Sequence, residues 1–553
     1  MLMKPSMLRR PVVALLLTCA VAAGCAVGKI SGDDPVADPD AVPGGQPIEK
    51  VVPRVGLRRL TSFEYDNTVR DLLADPTRKS ALVLPEDPRT PFDNDYAKQA
   101  PSKALVEGLE LLARDAAKSL IADSARRVAI LGCTPTGPSD SACFKTFITK
   151  FGRRAIRRPL TDEEVSRFVT TFAPFAVEAN DFYTGVETAI LAFLQHAEFV
   201  YRVEVGTPVE GRPSIVRLND YELASRLSYF VMGTTPDDPL LDAAGSGSLA
   251  TPEGVQAAVR KLLTDDRAKA TVSRFHALWL GYDKVLETND LAKAMIGESN
   301  ALVQKVIFQD KKPWEDIFKS TETFATDALA KHYGLPSTGS ATPKWVPYGT
   351  SGRKGILSHA MFLTNGAKLD DTSPTLRGLA VRLRLMCQDI PPPPPSVDTD
   401  LPPLAAGQCK TDRLAAHSVG GCASCHSKMD PIGFGLEGFD QQGRFRTTEP
   451  GKPACIIKGE GNLDGVGTFK GPSELSDQLL KDGAVQKCMA TQLFRFAVGR
   501  GTLDADDERF VTWWVDKVGG AKSGFKMDDL IAEFVATDAF RQRRLTASST
   551  GKE

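Results

Sequence analysis

Neither sign of charge is in excess in this 553-residue sequence, where 68 Lys and Arg stand against 69 Asp and Glu. A chain so nearly neutral has no long-range field to gather nucleic acid or an anionic membrane surface, so nucleic acid is not an expected partner. Beyond the first 25 residues no apolar run approaches the roughly 20 residues that a membrane-spanning helix needs. The hydrolase signals GxSxG and HExxH, the Walker phosphate loop and the EF-hand loop are all missing, and no nucleophile and base can be paired. What is present is a globular mixture, 42% hydrophobic and 25% charged. That mixture and length fit three to five domains rather than one core.

The first residues set the compartment. Lys4, Arg9 and Arg10 precede an apolar run from Val12 to Ala23, which ends in the small residues Ala22-Ala23-Gly24 followed by Cys25. This order is that of an export signal. Because a cysteine follows the small residues directly, residues 1–25 resemble a bacterial lipoprotein signal peptide. Cys25 is then expected to carry lipid, anchoring the chain to a membrane of the cell envelope, in the periplasm or at the outer membrane. Residues 26–54, rich in Asp, Pro and Gly, are expected to form a disordered tether.

Once Cys19 leaves with the signal and Cys25 takes the lipid, eight cysteines remain. Cys133 and Cys143 bracket a turn-rich loop and form the best local disulfide candidate. Cys387, Cys409, Cys455 and Cys488 allow three connectivities, which spacing does not decide.

Helix dominates the folded part. Leu60-Thr61-Ser62-Phe63-Glu64-Tyr65, Leu160-Thr161-Asp162-Glu163-Glu164-Val165 and Leu218-Asn219-Asp220-Tyr221-Glu222-Leu223 repeat one helix-start pattern. In each, a Thr or Asn caps the exposed amides and a Glu three residues on reaches back. Strand-like runs are few, such as 198–205 and 454–457. Five prolines, Pro391 to Pro395, read as a stiff spacer. The basic cluster Lys150, Arg153, Arg154, Arg157 and Arg158 reads as a helix-terminal charge set. The expected organisation is mainly α, with helical domains at 55–125, 130–205 (holding the Cys133/Cys143 loop), 214–345 and 460–545. A loop-rich, cytochrome-c-like haem domain is expected at 350–450.

The haem expectation rests on Cys422-Ala423-Ser424-Cys425-His426. Two thiols two residues apart and an adjoining imidazole are what thioether attachment to both haem vinyl groups and axial iron ligation require. With 10 Cys and 6 His in the chain, chance supplies only about 0.002 such pentapeptides. One covalent haem c is therefore expected, with Cys422 and Cys425 as anchors and His426 as proximal ligand. The sixth ligand stays open among His417, which could fold back through Gly420-Gly421, Met489, His359 and no ligand at all. Met429 to Asp440 alternates turn formers with large apolar groups and could wall a haem pocket, and Arg444 or Arg446 could meet a propionate.

These residues, read together, resemble a known family: the large secreted cytochrome-like proteins of planctomycetes and myxobacteria, built from consecutive domains of unknown function with a CxxCH motif. The resemblance runs through Arg59-Leu60-Thr61 to Leu73, Arg154 to Thr161, Leu227-Ser228-Tyr229-Phe230 with Trp279-Leu280, and Arg353 to Leu357. It continues through Arg377-Gly378, Cys387 to Pro395, His417, the CxxCH segment to Arg446, and Phe496 to Arg500. It implies haem and leaves the reaction open, and His417 falls where the family usually has His. The expected function is single-electron transfer in the envelope with an unknown redox partner protein. A haem-dependent oxidoreductase or peroxidase-like enzyme, and a non-haem disulfide-braced surface scaffold, are the alternatives.

Overall fold

The structure, a computed structural model, describes residues 47–545 except 78, 284–288, 365, 369–370, 396–404 and 406. The signal segment, Cys25 and residues 26–46 of the expected tether lie outside the described residues. The chain is mainly α: the described residues hold 23 α-helices, and their strands make only two- and three-stranded antiparallel sheets. No helix among them is long and apolar enough to cross a membrane.

The three repeated start signals all build helix N-termini. Thr61, Thr161 and Asn219 accept the amides of Glu64, Glu164 and Glu222, whose carboxylates accept the cap residues' own amides, at 2.8–3.2 Å. Each box satisfies two of the donors that a helix start leaves unpaired.

Two apolar cores hold the helices. The first runs from Leu60 to Val200 and is rich in phenylalanine, with Phe168 and Phe193 stacked at 4.1 Å. The second collects residues from Leu218 to Phe540, together with Val51, Val55 and Phe92 from the N-terminal side. Segment 350–450 shares this second core through Ile356, Leu385, Ile432 and Leu436, rather than forming one of its own.

The two ends of the described chain meet. Gln542–Arg544 pairs with Arg212–Arg217, and Arg54 bridges to Arg544. This corrects the expected tether at its C-terminal end, because Val51 and Val52 are buried and Ile48–Lys50 is a 3-10 turn. Two adjacent β-branched residues and Val55 supply the apolar surface that the Asp- and Pro-rich stretch before them lacks.

Two members of the basic cluster, Arg157 and Arg158, hold the fold. Arg157, buried and in the left-handed region at φ 66°, donates to the Tyr201 carbonyl at 2.8 Å, the Phe199 carbonyl at 3.2 Å and the Tyr229 hydroxyl at 3.3 Å. Arg158 pairs with Glu164 and Glu198, each at 2.9 Å.

Cys133 is joined to Cys143, and the undecided four pair as Cys387 with Cys488 and Cys409 with Cys455. The Cys387–Cys488 bond closes a separation of 101 residues around segment 388–487. On the chain-entropy model a loop of that size contributes about 5 kcal/mol.

Candidate functional site

The CxxCH motif sits at the start of a helix. Gly420–Cys422 makes a 3-10 turn that runs into Ala423–Leu436, so Cys422 and Cys425 stand three residues apart on one face. The expected loop from Met429 onward is therefore helical as far as Leu436. Its glycines serve close approach rather than turns. A Cβ on Gly433 would stand 1.8 Å from the Pro374 carbonyl oxygen, and one on Gly378 1.9 Å from that of Met429. Two helices, Pro374–Ala380 and Ala423–Leu436, thus cross backbone to backbone, and this crossing fixes the motif helix against the core.

Six of the eight described cysteines are consumed in disulfides, and Cys422 and Cys425 remain thiols. Cys422 is exposed and Cys425 half-buried. His426, next to them, is also half-buried and directs Nδ1 at Asp430 one turn on, 3.1 Å from Oδ2 and 3.2 Å from Oδ1.

His417 reaches the same carboxylate, with Nδ1 3.0 Å from Asp430 Oδ2. Thr375 donates its hydroxyl to Oδ1 at 2.7 Å, so Asp430, itself buried, receives three side chains from three segments. A carboxylate oxygen accepts, so each imidazole meets Asp430 through its Nδ1 side and turns Nε2 away from it. His417, His426 and Asp430 form one of the groups among the described residues close enough to hold a metal ion.

The two rings lie 3.8 Å apart between centroids. Two imidazoles on opposite faces of one iron, each about 2 Å from the metal, would have centroids about 6 Å apart. The structure thus places His417 beside His426, on its carboxylate, and not across from it. Met489 is fully buried in the second core on helix Ala484–Val498. His359 is fully buried as well, with Nδ1 2.9 Å from Ser299 Oγ, and burial first, then Arg353, lowers its pKa to about 3.

Behind the motif helix a charged cluster holds the backbone. Arg377, 2% exposed, donates to the carbonyls of Leu436 at 3.0 Å, Phe439 at 2.8 Å, Leu363 at 2.7 Å and Asp440 at 2.9 Å, and to Glu437 at 3.0 Å. A cation at the carbonyl end of a helix is also favoured by the helix dipole. Lys410 and Arg446 converge on Glu437 Oε2 at 3.0 and 2.9 Å. Arg444 pairs with Asp440 at 2.8 Å. Both arginines that could meet a propionate have carboxylate partners in the fold.

Sequence reasoning did not see Thr375 as part of the site, and it placed Asp430, Glu437 and Arg377 in segments of interest without the charged contacts they make. The i, i+4 spacing of His426 and Asp430 was the available signal, since it places both on one helix face. It was hidden by Pro431, Gly433 and Gly435, which read as a loop.

Five family models match in succession, each described as a protein of unknown function: DUF1587 over 58–122, DUF1595 over 143–204, DUF1592 over 218–335, DUF1588 over 353–449 and DUF1585 over 467–540. The chain is an array of five such domains. No curated protein and no solved structure matches it. Thr375, His417, Cys422, Cys425, His426 and Asp430 all fall within the fourth domain of the array, whose model carries the short name PSCyt3.

The donor set of this domain fits a covalently held haem. It has two unpaired thiols on one helix face and an imidazole whose Nε2 has no hydrogen-bond partner among the described residues. Exposed apolar side chains, Val419, Leu376 and Leu383, lie on segments adjoining the motif helix.

Proposed function

We propose that the protein is a c-type cytochrome-like member of the cell envelope that carries one covalent haem and passes single electrons to or from a partner protein. The observation that carries this reading is the sorting of the cysteines. Six are paired in disulfides, while the two cysteines of CxxCH are left unpaired beside an imidazole oriented by Asp430. Each thiol would add across one vinyl group, its sulfur bonding to carbon and its hydrogen passing to the neighbouring carbon. His426 would bind iron through Nε2. Haem held there supplies a one-electron iron couple.

Cys422 is exposed and Cys425 and His426 are half-buried, so the site opens at the surface, where a partner can approach. The name PSCyt3 of the matching model agrees with a cytochrome role. Three disulfides agree with an oxidising compartment and hence with export, and lipid on Cys25 would be the anchor.

The test is expression of the full chain with c-type maturation machinery, followed by a denaturing gel stained for haem and a pyridine haemochrome spectrum. The reading expects a stained band for the wild type and none for the Cys422→Ala, Cys425→Ala double variant. An unstained wild-type band, with intact mature protein, overturns it.

A further inference from the structure

We propose that Asp430 is a positioning residue that sets the reduction potential of the site, by accepting the Nδ1–H of His426 in competition with Thr375 and His417. The inference rests on the haem reading above. It starts from a carboxylate with a finite number of lone pairs, buried away from water and shared by three donors.

A metal-bound histidine almost always passes its second ring N–H to an acceptor. That partner fixes the tautomer and ring orientation and raises the basicity of the coordinating nitrogen. Asp430 meets these requirements for His426 from one turn along the same helix, at 3.1 and 3.2 Å, so helix geometry itself holds ligand and acceptor in register. A more basic axial nitrogen favours the higher charge on iron, and outer hydrogen bonding is one of the main levers a protein has on such a potential.

The other two donors act against this. Thr375 engages Oδ1 at 2.7 Å and His417 engages Oδ2 at 3.0 Å, the same two oxygens that His426 uses. Each hydrogen bond they make draws charge from the carboxylate and leaves it a weaker acceptor for His426. His417 therefore belongs to the outer arrangement around the ligand. Because Thr375 comes from helix Pro374–Ala380, the glycine crossing between the two helices also sets how much of Asp430 is left for His426.

Removing the acceptor and removing its competitors should shift the potential in opposite directions. In the full-length, haem-loaded protein, Asp430→Asn should raise the midpoint potential by about a tenfold change in the Fe(III)/Fe(II) equilibrium, which is about 59 mV for one electron. It should also lower the iron–histidine stretching frequency in resonance Raman spectra. Thr375→Val and His417→Ala should each lower the potential, by about twofold in the equilibrium, with the stretching frequency raised. Thr375→Val removes one hydroxyl and carries the test if Asp430→Asn does not fold.

Potentials and stretching frequencies that stay at wild-type values in Thr375→Val and His417→Ala overturn the proposal. So does a change of spin state in His417→Ala, which would make His417 an iron ligand. A wild type without haem fails the cofactor reading and this one with it. A wild type with haem but unresponsive variants fails this one alone.

Discussion

Gly378 and Met429 approach so closely that a Cβ on the glycine would stand 1.9 Å from the methionine carbonyl oxygen. No side-chain rearrangement relieves a clash with backbone, so the helices would have to part. Gly378→Ala is expected to cost about 3 kcal/mol, at the upper end for overpacking. Gly297→Ala is the control, because that glycine lies inside helix Asp290–Gln304 with nothing within 4 Å of the added carbon. It should stabilise by about 0.5–1 kcal/mol, and denaturant melts of the two variants check the contrast.

Arg377 holds four backbone carbonyls and Glu437 from a buried position. Lysine cannot reach these in the fork geometry of a guanidinium. Arg377→Lys should lower stability by about 3–5 kcal/mol and loosen the end of the motif helix, seen as faster amide exchange near 434–440.

The Cys387–Cys488 bond is expected to matter more than Cys133–Cys143, since their separations are 101 and 10 residues. Replacing both cysteines of a pair by serine should cost about 5 kcal/mol for the first and about 3 kcal/mol for the second on the loop-entropy model. Urea melts of the two double variants give the order directly.

Glu298 and His359 predict a pH dependence. Burial is the largest influence on Glu298 and raises it to about 7, even though Thr323, Tyr333 and Arg353 pull the other way. Tyr333 donates to it at 2.6 Å, and His359 Nε2 lies 3.6 Å away. A raised carboxyl binds its proton more tightly folded than unfolded. Its contribution is full below about 4.3, the ordinary Glu value, and is lost as pH rises to about 7. His359, lowered to about 3, does the reverse: its contribution is full above about 6.5 and is lost as pH falls towards 3.

Between about pH 4.5 and 6.5 these two slopes oppose each other. Glu298→Gln removes the falling one, so its stability relative to wild type should rise across that window, by at most about 1.4 kcal/mol per pH unit. His359→Asn should show the opposite trend. Thermal melts at pH 4.5, 5.5 and 6.5 for the two variants and wild type distinguish them.

Much of this architecture was legible in local chemistry. Thr61-x-x-Glu64, Thr161-x-x-Glu164 and Asn219-x-x-Glu222 announce helix starts because cap and return bond lie within four residues. Cys422, Cys425 and His426 were legible for the same reason. Asp430 was not, because Pro431, Gly433 and Gly435 suggest a loop until Pro374 and Phe469 are known to pack against those glycines. The pairing of Cys387 with Cys488 and of Cys409 with Cys455 depends on tertiary approach, which spacing does not encode. Residues 47–54 looked like tether because their partners, Arg544 and the C-terminal helices, come about 490 residues later.

The mass of the tryptic peptide 414–428, taken from protein matured with the c-type system, reports haem attachment at Cys422 and Cys425 without an intermediate step. It contains both thiols and His426. This peptide is expected to gain the mass of one haem, and the gain to disappear in the Cys422→Ala, Cys425→Ala variant. A peptide lighter than the dithiol by two hydrogens, with Cys422 bonded to Cys425, would contradict it.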